Sequence, residues 1–103
     1  MAISRSRVLV TYQPPVPTGS HTEDATISAA TTLTQPAGAN AVLIQAETQN
    51  IRYTLDGSTP TATLGFIIEA GKKELIDVPT SGMTIKIIEE AASAKASWQW
   101  LVY

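Results

Sequence analysis

The feature that most constrains this chain is an alternation of apolar and polar residues with a period near two, repeated in four separate segments. Residues 41–47 set Val42, Ile44 and Ala46 against Gln45 and Glu47, and residues 51–55 set Ile51, Tyr53 and Leu55 against Arg52 and Thr54. Residues 83–88 alternate Ile85 and Ile87 with Thr84 and Lys86, and the last segment sets Trp98, Trp100 and Val102 against Ser97 and Gln99. Successive side chains leave a strand on opposite faces, so each segment reads as a half-buried β-strand. Weaker strands are expected at 7–12, 26–34, 64–68 and 74–78; the Thr- and Ala-rich 26–34 suits a shallow or edge position. Turn chemistry falls between these runs, at Gly38-Ala39-Asn40, Asp56-Gly57, Gly71-Lys72 and Pro79-Thr80-Ser81-Gly82. Short strands at this spacing predict an all-β fold, an antiparallel β-sandwich that is immunoglobulin-like or jelly-roll-like. The one helix candidate, Glu89 to Lys95, is too short to stand without packing and reads as a turn.

At 103 residues, 44% of them hydrophobic, the chain is long enough for one core and too short for two. It contains no cysteine, which removes a disulfide framework and any thiolate metal site. The stretch Gln13 to His21, QPPVPTGSH, carries three prolines that fix extended backbone and withhold ladder donors. The expected organisation is therefore an N-terminal strand and extended arm over 1–22, followed by a β-sandwich domain over 23–103. An arm of this kind suits contact with a neighbouring subunit. Near the N-terminus the apolar run is only Val8 to Val10 with Tyr12 beyond, too short for a secretory signal or a membrane span.

Charge excludes further classes. Only 16% of residues are charged and the net charge is −2, with the basic residues scattered and no run longer than two. Nucleic-acid affinity comes from neutralising several phosphates at once, so no nucleic acid is expected as a partner, and no membrane. His21 is the sole histidine and lies in the proline-rich stretch, where no triad base would be held rigidly. Nothing in the sequence places two of the nine carboxylates together as a glycosidase requires, and Asp56-Gly57-Ser58-Thr59 offers one carboxylate where calcium wants several oxygens. No phosphate-binding glycine loop or HExxH pair is present. The reading is a non-enzymatic protein with no catalytic residues, cofactor or metal.

What remains is contact surface. The loop 56–63, DGSTPTAT, is turned by Asp56-Gly57 and stiffened by Pro60, and rigid projecting loops make good subunit contacts. Arg52 stands beside it for a polar contact. Trp98 and Trp100 share one strand face, as a sugar-stacking platform, a subunit interface or core. The candidate interface residues are Pro14, Pro15, Pro17, Arg52, Asp56, Gly57, Thr59, Pro60, Trp98 and Trp100.

Two resemblances follow from these residues. YTLDGSTPT, Tyr53 to Thr61, resembles the signature of the immunoglobulin-like C-terminal domain of chitobiases and hexosaminidases, where it is a strand followed by a tight loop. More extensively, NAVLIQAETQNIRYT from Asn40 to Thr54, then DGSTPTATLGF and MTIKIIEEAASAKASWQW, resembles small bacteriophage proteins found among virion structural genes. That resemblance spans about residues 28–103. It implies a β-sandwich and a place in the virion, as a capsid decoration (cement) protein on the outer capsid surface or as a head-tail accessory protein. The implied partners are the major capsid protein or other virion proteins, and a second copy in a trimer or dimer. The implied site of synthesis is the bacterial host cytoplasm. A carbohydrate-binding or spacer module is the competing expectation.

Overall fold

The computed structural model describes residues 14–79 and 83–103, and among these it contains eight strands and no helix. The expected strand at 7–12 and the centre of the expected turn at 79–82 lie outside the described residues. The strands are β1 (Val16–Asp24), β2 (Thr31–Thr32), β3 (Ala41–Ala46), β4 (Ile51–Thr54), β5 (Phe66–Ile68), β6 (Lys73–Asp77), β7 (Lys86–Glu89) and β8 (Ala96–Val102). They form two four-stranded sheets, ordered β1-β8-β3-β6 and β2-β7-β4-β5, in which every strand pair is antiparallel. The fold is all-β with two antiparallel sheets, as the alternation predicts.

The sheets share one core because each contributes its apolar face. From the first come Val42, Ile44, Ala46, Ile76, Ala96, Trp98 and Trp100; from the second, Ile51, Tyr53, Ile68 and Ile87. Ile27, Ile44, Ile51, Ile68, Ile85 and Ile87 are fully buried, and burial of each such side chain contributes roughly 1.5–3 kcal/mol. β-Branched side chains suit this role, since their stiff rotamers pack well on a pleated surface.

Three details go beyond the alternation. First, from Val16 onward the proline-rich stretch is the edge strand β1, paired with β8 from Val16↔Val102 to Asp24↔Ala96, while residues 1–13 of the expected arm lie outside the described residues. An edge strand needs donors on only one side, so Pro17 is tolerated there. A register shift between Thr18 and Thr22, with Gly19 at φ 72°, takes up the irregularity. The expected boundary between arm and sandwich thus falls inside a strand.

Second, the segment 26–34 forms a ladder only at Thr31–Thr32, while Ile27 and Leu33 on either side plug the core. Third, Thr54 is buried although alternation places it with the polar residues. Its Oγ1 donates to the carbonyl of Ser58 at 2.5 Å, so the following loop folds back over it. Of the segment 89–95, Glu89 ends β7 and 90–95 form the expected turn, with Ser93 in the left-handed region at φ 72°.

Candidate functional site

Strand directions decide which loops share an end of the molecule. β4 runs from Ile51, opposite Glu89, to Thr54, opposite Lys86, and β8 runs from Ala96, opposite Ala46, to Leu101, opposite Ala41. One end therefore carries the connections 33–40 and 55–65 and the described residues 78–79 and 83–85, together with the start of β1 and the end of β8. Hydrogen bonds tie this end together: the Tyr103 N–H donates to Asn40 Oδ1, Val78 N–H to the Asn40 carbonyl, and Thr84 N–H to the Leu55 carbonyl. Of the candidate interface residues, Pro14, Pro15 and Pro17 lie here at the start of β1, and Asp56, Gly57, Thr59 and Pro60 lie here after β4.

The loop after β4 is built by short-range chemistry. Asp56 Oδ1 accepts the Ser58 N–H at 3.0 Å, and the hydrogen bonds from Ser58 hold the Asp56 carboxyl below the usual carboxylate range. Gly57 adopts φ 86°, a conformation that favours glycine, and its N–H donates to the Thr84 carbonyl at 3.1 Å. Asp56 also bridges to Thr84 in parallel sense. Pro60 is fully buried, so it anchors the loop and presents no contact surface, whereas Thr59 is exposed. Thr61 and Leu64 then close a small antiparallel bridge.

Between this loop and β5 lies an open groove of about 500 Å³, lined by Tyr53, Leu55, Leu64 and Phe66, with Asp56 and Ser58 on its polar side. Tyr53 and Phe66 meet with ring centroids 5.5 Å apart. Burial, with a smaller contribution from the charge of Glu74, raises the Tyr53 hydroxyl pKa. At this groove Phe66 is 62% exposed and Leu64 53%, while Ile67, 43% exposed, projects from the opposite face of β5.

Arg52 is occupied by the fold. Its Nε and Nη2 donate to Glu90 Oε2 at 3.0 and 2.9 Å, and its Nη1 donates to the Gly65 carbonyl at 3.0 Å. Glu90 also accepts from Asn50 Nδ2, and Asn50 Oδ1 accepts the Ala70 N–H at 2.9 Å. This network locks the two ends of β5 to β4 and to the turn after β7. Arg52 is thus a structural clamp for the groove's floor rather than a free contact.

Trp98 and Trp100 are 7% and 4% exposed and belong to the core. They line a second recess, of about 330 Å³, with Gly19, Ser20, Thr22, Thr32, Thr34 and Pro36. So little indole surface offers no stacking face, and the sugar platform built on these two residues is withdrawn. Sequence reasoning missed Leu64, Phe66 and Ile67 as surface residues, Tyr53 as the buried wall of the groove, and Glu90 as the partner of Arg52. The signal was present in Phe66-Ile67-Ile68, three consecutive apolar residues that put apolar groups on both faces of one strand.

No protein-family model, curated protein or solved structure matches this chain.

Proposed function

We propose that this chain is a non-enzymatic structural protein of a bacteriophage particle, a decoration protein on the outer capsid surface that stabilises contacts between major capsid subunits. The observation that carries the reading is the strand order, β1-β8-β3-β6 against β2-β7-β4-β5. Two Greek keys folded into facing four-stranded sheets make a jelly roll, an architecture at home in viral shells and also in lectins and cupins. Fold alone does not give function. Two further features support the shell over the sugar.

The residues that carry the resemblance to virion proteins, 40–54, 56–66 and 83–100, make β3, β4, the loop 56–63, β7, most of β8 and both partners of the Arg52–Glu90 clamp. They include the part of the chain that builds the groove. The two indoles that a lectin reading would use are spent on the core. The end bearing Pro14, Asp56, Gly57 and Thr59 is then the attachment end, a rigid loop beside the entry of the chain. The partners are the major capsid protein and a second copy of this chain, in a dimer or trimer. No cofactor, nucleic acid or membrane enters the reading.

The test is the copy number of this protein in purified virions, measured by mass spectrometry against the major capsid protein. A ratio near one, or a simple fraction of it, is expected for a decoration protein. A handful of copies per particle moves it to the neck or tail, and absence from the particle overturns the reading.

A further inference from the structure

Each sheet of an open sandwich ends in strands whose outer backbone groups have no partner, and proteins normally guard such edges against strand addition. Among the described residues the four sheet edges are β1, β6, β2 and β5, and they are guarded unequally. β1 carries Pro17, an internal register shift and the acidic Glu23 and Asp24. β6, Lys-Glu-Leu-Ile-Asp, carries three charges. β2 has two residues and no apolar side chain. β5, Phe-Ile-Ile, has no charge, no proline and no bulge, and its Phe66 and Ile67 are 62% and 43% exposed.

We propose that β5 is a self-pairing edge. Two copies meet antiparallel about a two-fold axis through Ile67, joining two sheets of four strands into one continuous sheet. The occupant is a second copy because the strand is complementary to itself. The axis sets Phe66 beside Ile68 of the second copy and Ile67 beside its counterpart, pairs of apolar and β-branched residues that stabilise antiparallel neighbours. The flanking residues are Gly65 and Glu69, so the axis sets each carboxylate against a residue with no side chain rather than against another carboxylate. An isologous contact of this kind closes on itself and does not propagate into fibres.

The clamp explains why the edge is held ready. Arg52 ties the carbonyl of Gly65, just before β5, and Asn50 ties the N–H of Ala70, just after it. A strand of three residues is thereby fixed at both ends, and the ordering cost of pairing is met within each monomer. Leu64, 53% exposed beside the groove, extends the apolar surface toward the attachment end.

The inference rests on the proposed function only for where the dimer is used. Purified protein tests the pairing and particles test the function, so either can fail alone. Because the chain has no cysteine, Ile67→Cys places a single thiol on the axis. Directly opposed residues of an antiparallel pair have Cα atoms about 4.5–5.5 Å apart, within disulfide reach. Under mild oxidation I67C is expected to form a covalent dimer many-fold faster than L75C, whose cysteine replaces an equally exposed leucine on the guarded edge β6.

In sedimentation velocity the unmodified protein is expected to show an average mass that rises with concentration toward twice the monomer. Ile67→Lys, a guarding charge on an exposed position, is expected to abolish that rise. Equal cross-linking rates for I67C and L75C overturn the proposal. So does a wild-type protein that stays monomeric at every concentration, or an association that Ile67→Lys leaves intact.

Discussion

Arg52 and Glu90, separated by 38 positions in sequence, form a forked contact in which two guanidinium nitrogens meet one carboxylate oxygen at 3.0 and 2.9 Å. The pair lies across the antiparallel ladder of β4 and β7 and is largely shielded from solvent. Its third donor holds the Gly65 carbonyl. Surface ion pairs are worth little, but this one also satisfies a backbone acceptor. Replacing Arg52 by Met is expected to cost about 1–3 kcal/mol, because it strands both acceptors. Urea unfolding of Arg52→Met, Glu90→Gln and the double variant should reveal a coupling of about 1 kcal/mol. Strictly additive effects would show that the contact is incidental.

Gly65 has φ 126°, and a Cβ added there would sit 2.9 Å from the Tyr53 carbonyl oxygen and 3.3 Å from Arg52 Cβ. The close neighbour is backbone in a central strand and has no room to move. Gly65→Ala is therefore expected to destabilise by roughly 1–3 kcal/mol through strain. Denaturant melts would settle it, and a variant as stable as the parent would mean that β5 relaxes freely.

Asp24 Oδ1 accepts from both the N–H and the Oγ1 of Thr26, at 2.8 and 2.6 Å, and these bonds lower its carboxyl pKa. A folded-state pKa below the unfolded one means that the stabilisation is present above the ordinary carboxylate range. It is lost as pH falls through the depressed folded value. Asp24→Asn should thus be less stable than the parent near neutral pH, with the gap narrowing in strong acid. Thermal melts across the acid range measure this, and a constant gap would contradict it.

Because β1 covers the outer edge of β8, the place of a truncation matters more than its length. Removing residues 1–13 is expected to leave the sandwich folded. Removing 1–22 takes away most of β1 and exposes the β8 backbone opposite Thr18 and Pro17. That variant is expected to aggregate or to melt at markedly lower temperature, in circular dichroism and light scattering. Equal stability of the two truncations would show that β1 contributes nothing to the fold.

Much of this architecture was legible because strands with one dry face write their period directly into the sequence. β3, β4, β7 and β8 were all visible as alternation, and the turns at Gly38, Asp56-Gly57 and Gly71 by their residue types. The edges were legible in part: 26–34, 64–68 and 74–78 read as weaker strands, with 26–34 at an edge, but β1 did not read as part of the sheet. Proline in 14–17 argues against a central strand, but nothing local distinguishes an arm from a strand paired on one side, as β1 is with β8.

Ile27 and Leu33 read as members of a weak strand because their role, plugging the core from beside a two-residue ladder, depends on the opposite sheet. Thr54 was misplaced because the loop that covers it is packed by Pro60, a contact that no periodicity encodes. The apolar run at 66–68 reads as interior by composition, and only the sheet order puts it on an edge. The loop 56–63 was recognised as distinctive, but its groove needs Tyr53 and Phe66 to meet across the β4–β5 pair.

The register Val16↔Val102 has a practical consequence for anyone attaching cargo to this protein. β1 begins and β8 ends side by side, at the end that also bears loop 56–63. A fluorescent tag or peptide fused after Tyr103 would emerge beside that loop and compete with whatever it touches. Payload is better inserted at the far end, in the exposed turn around Ala91 and Ser93, where a guest would stand clear of Tyr103 and of loop 56–63.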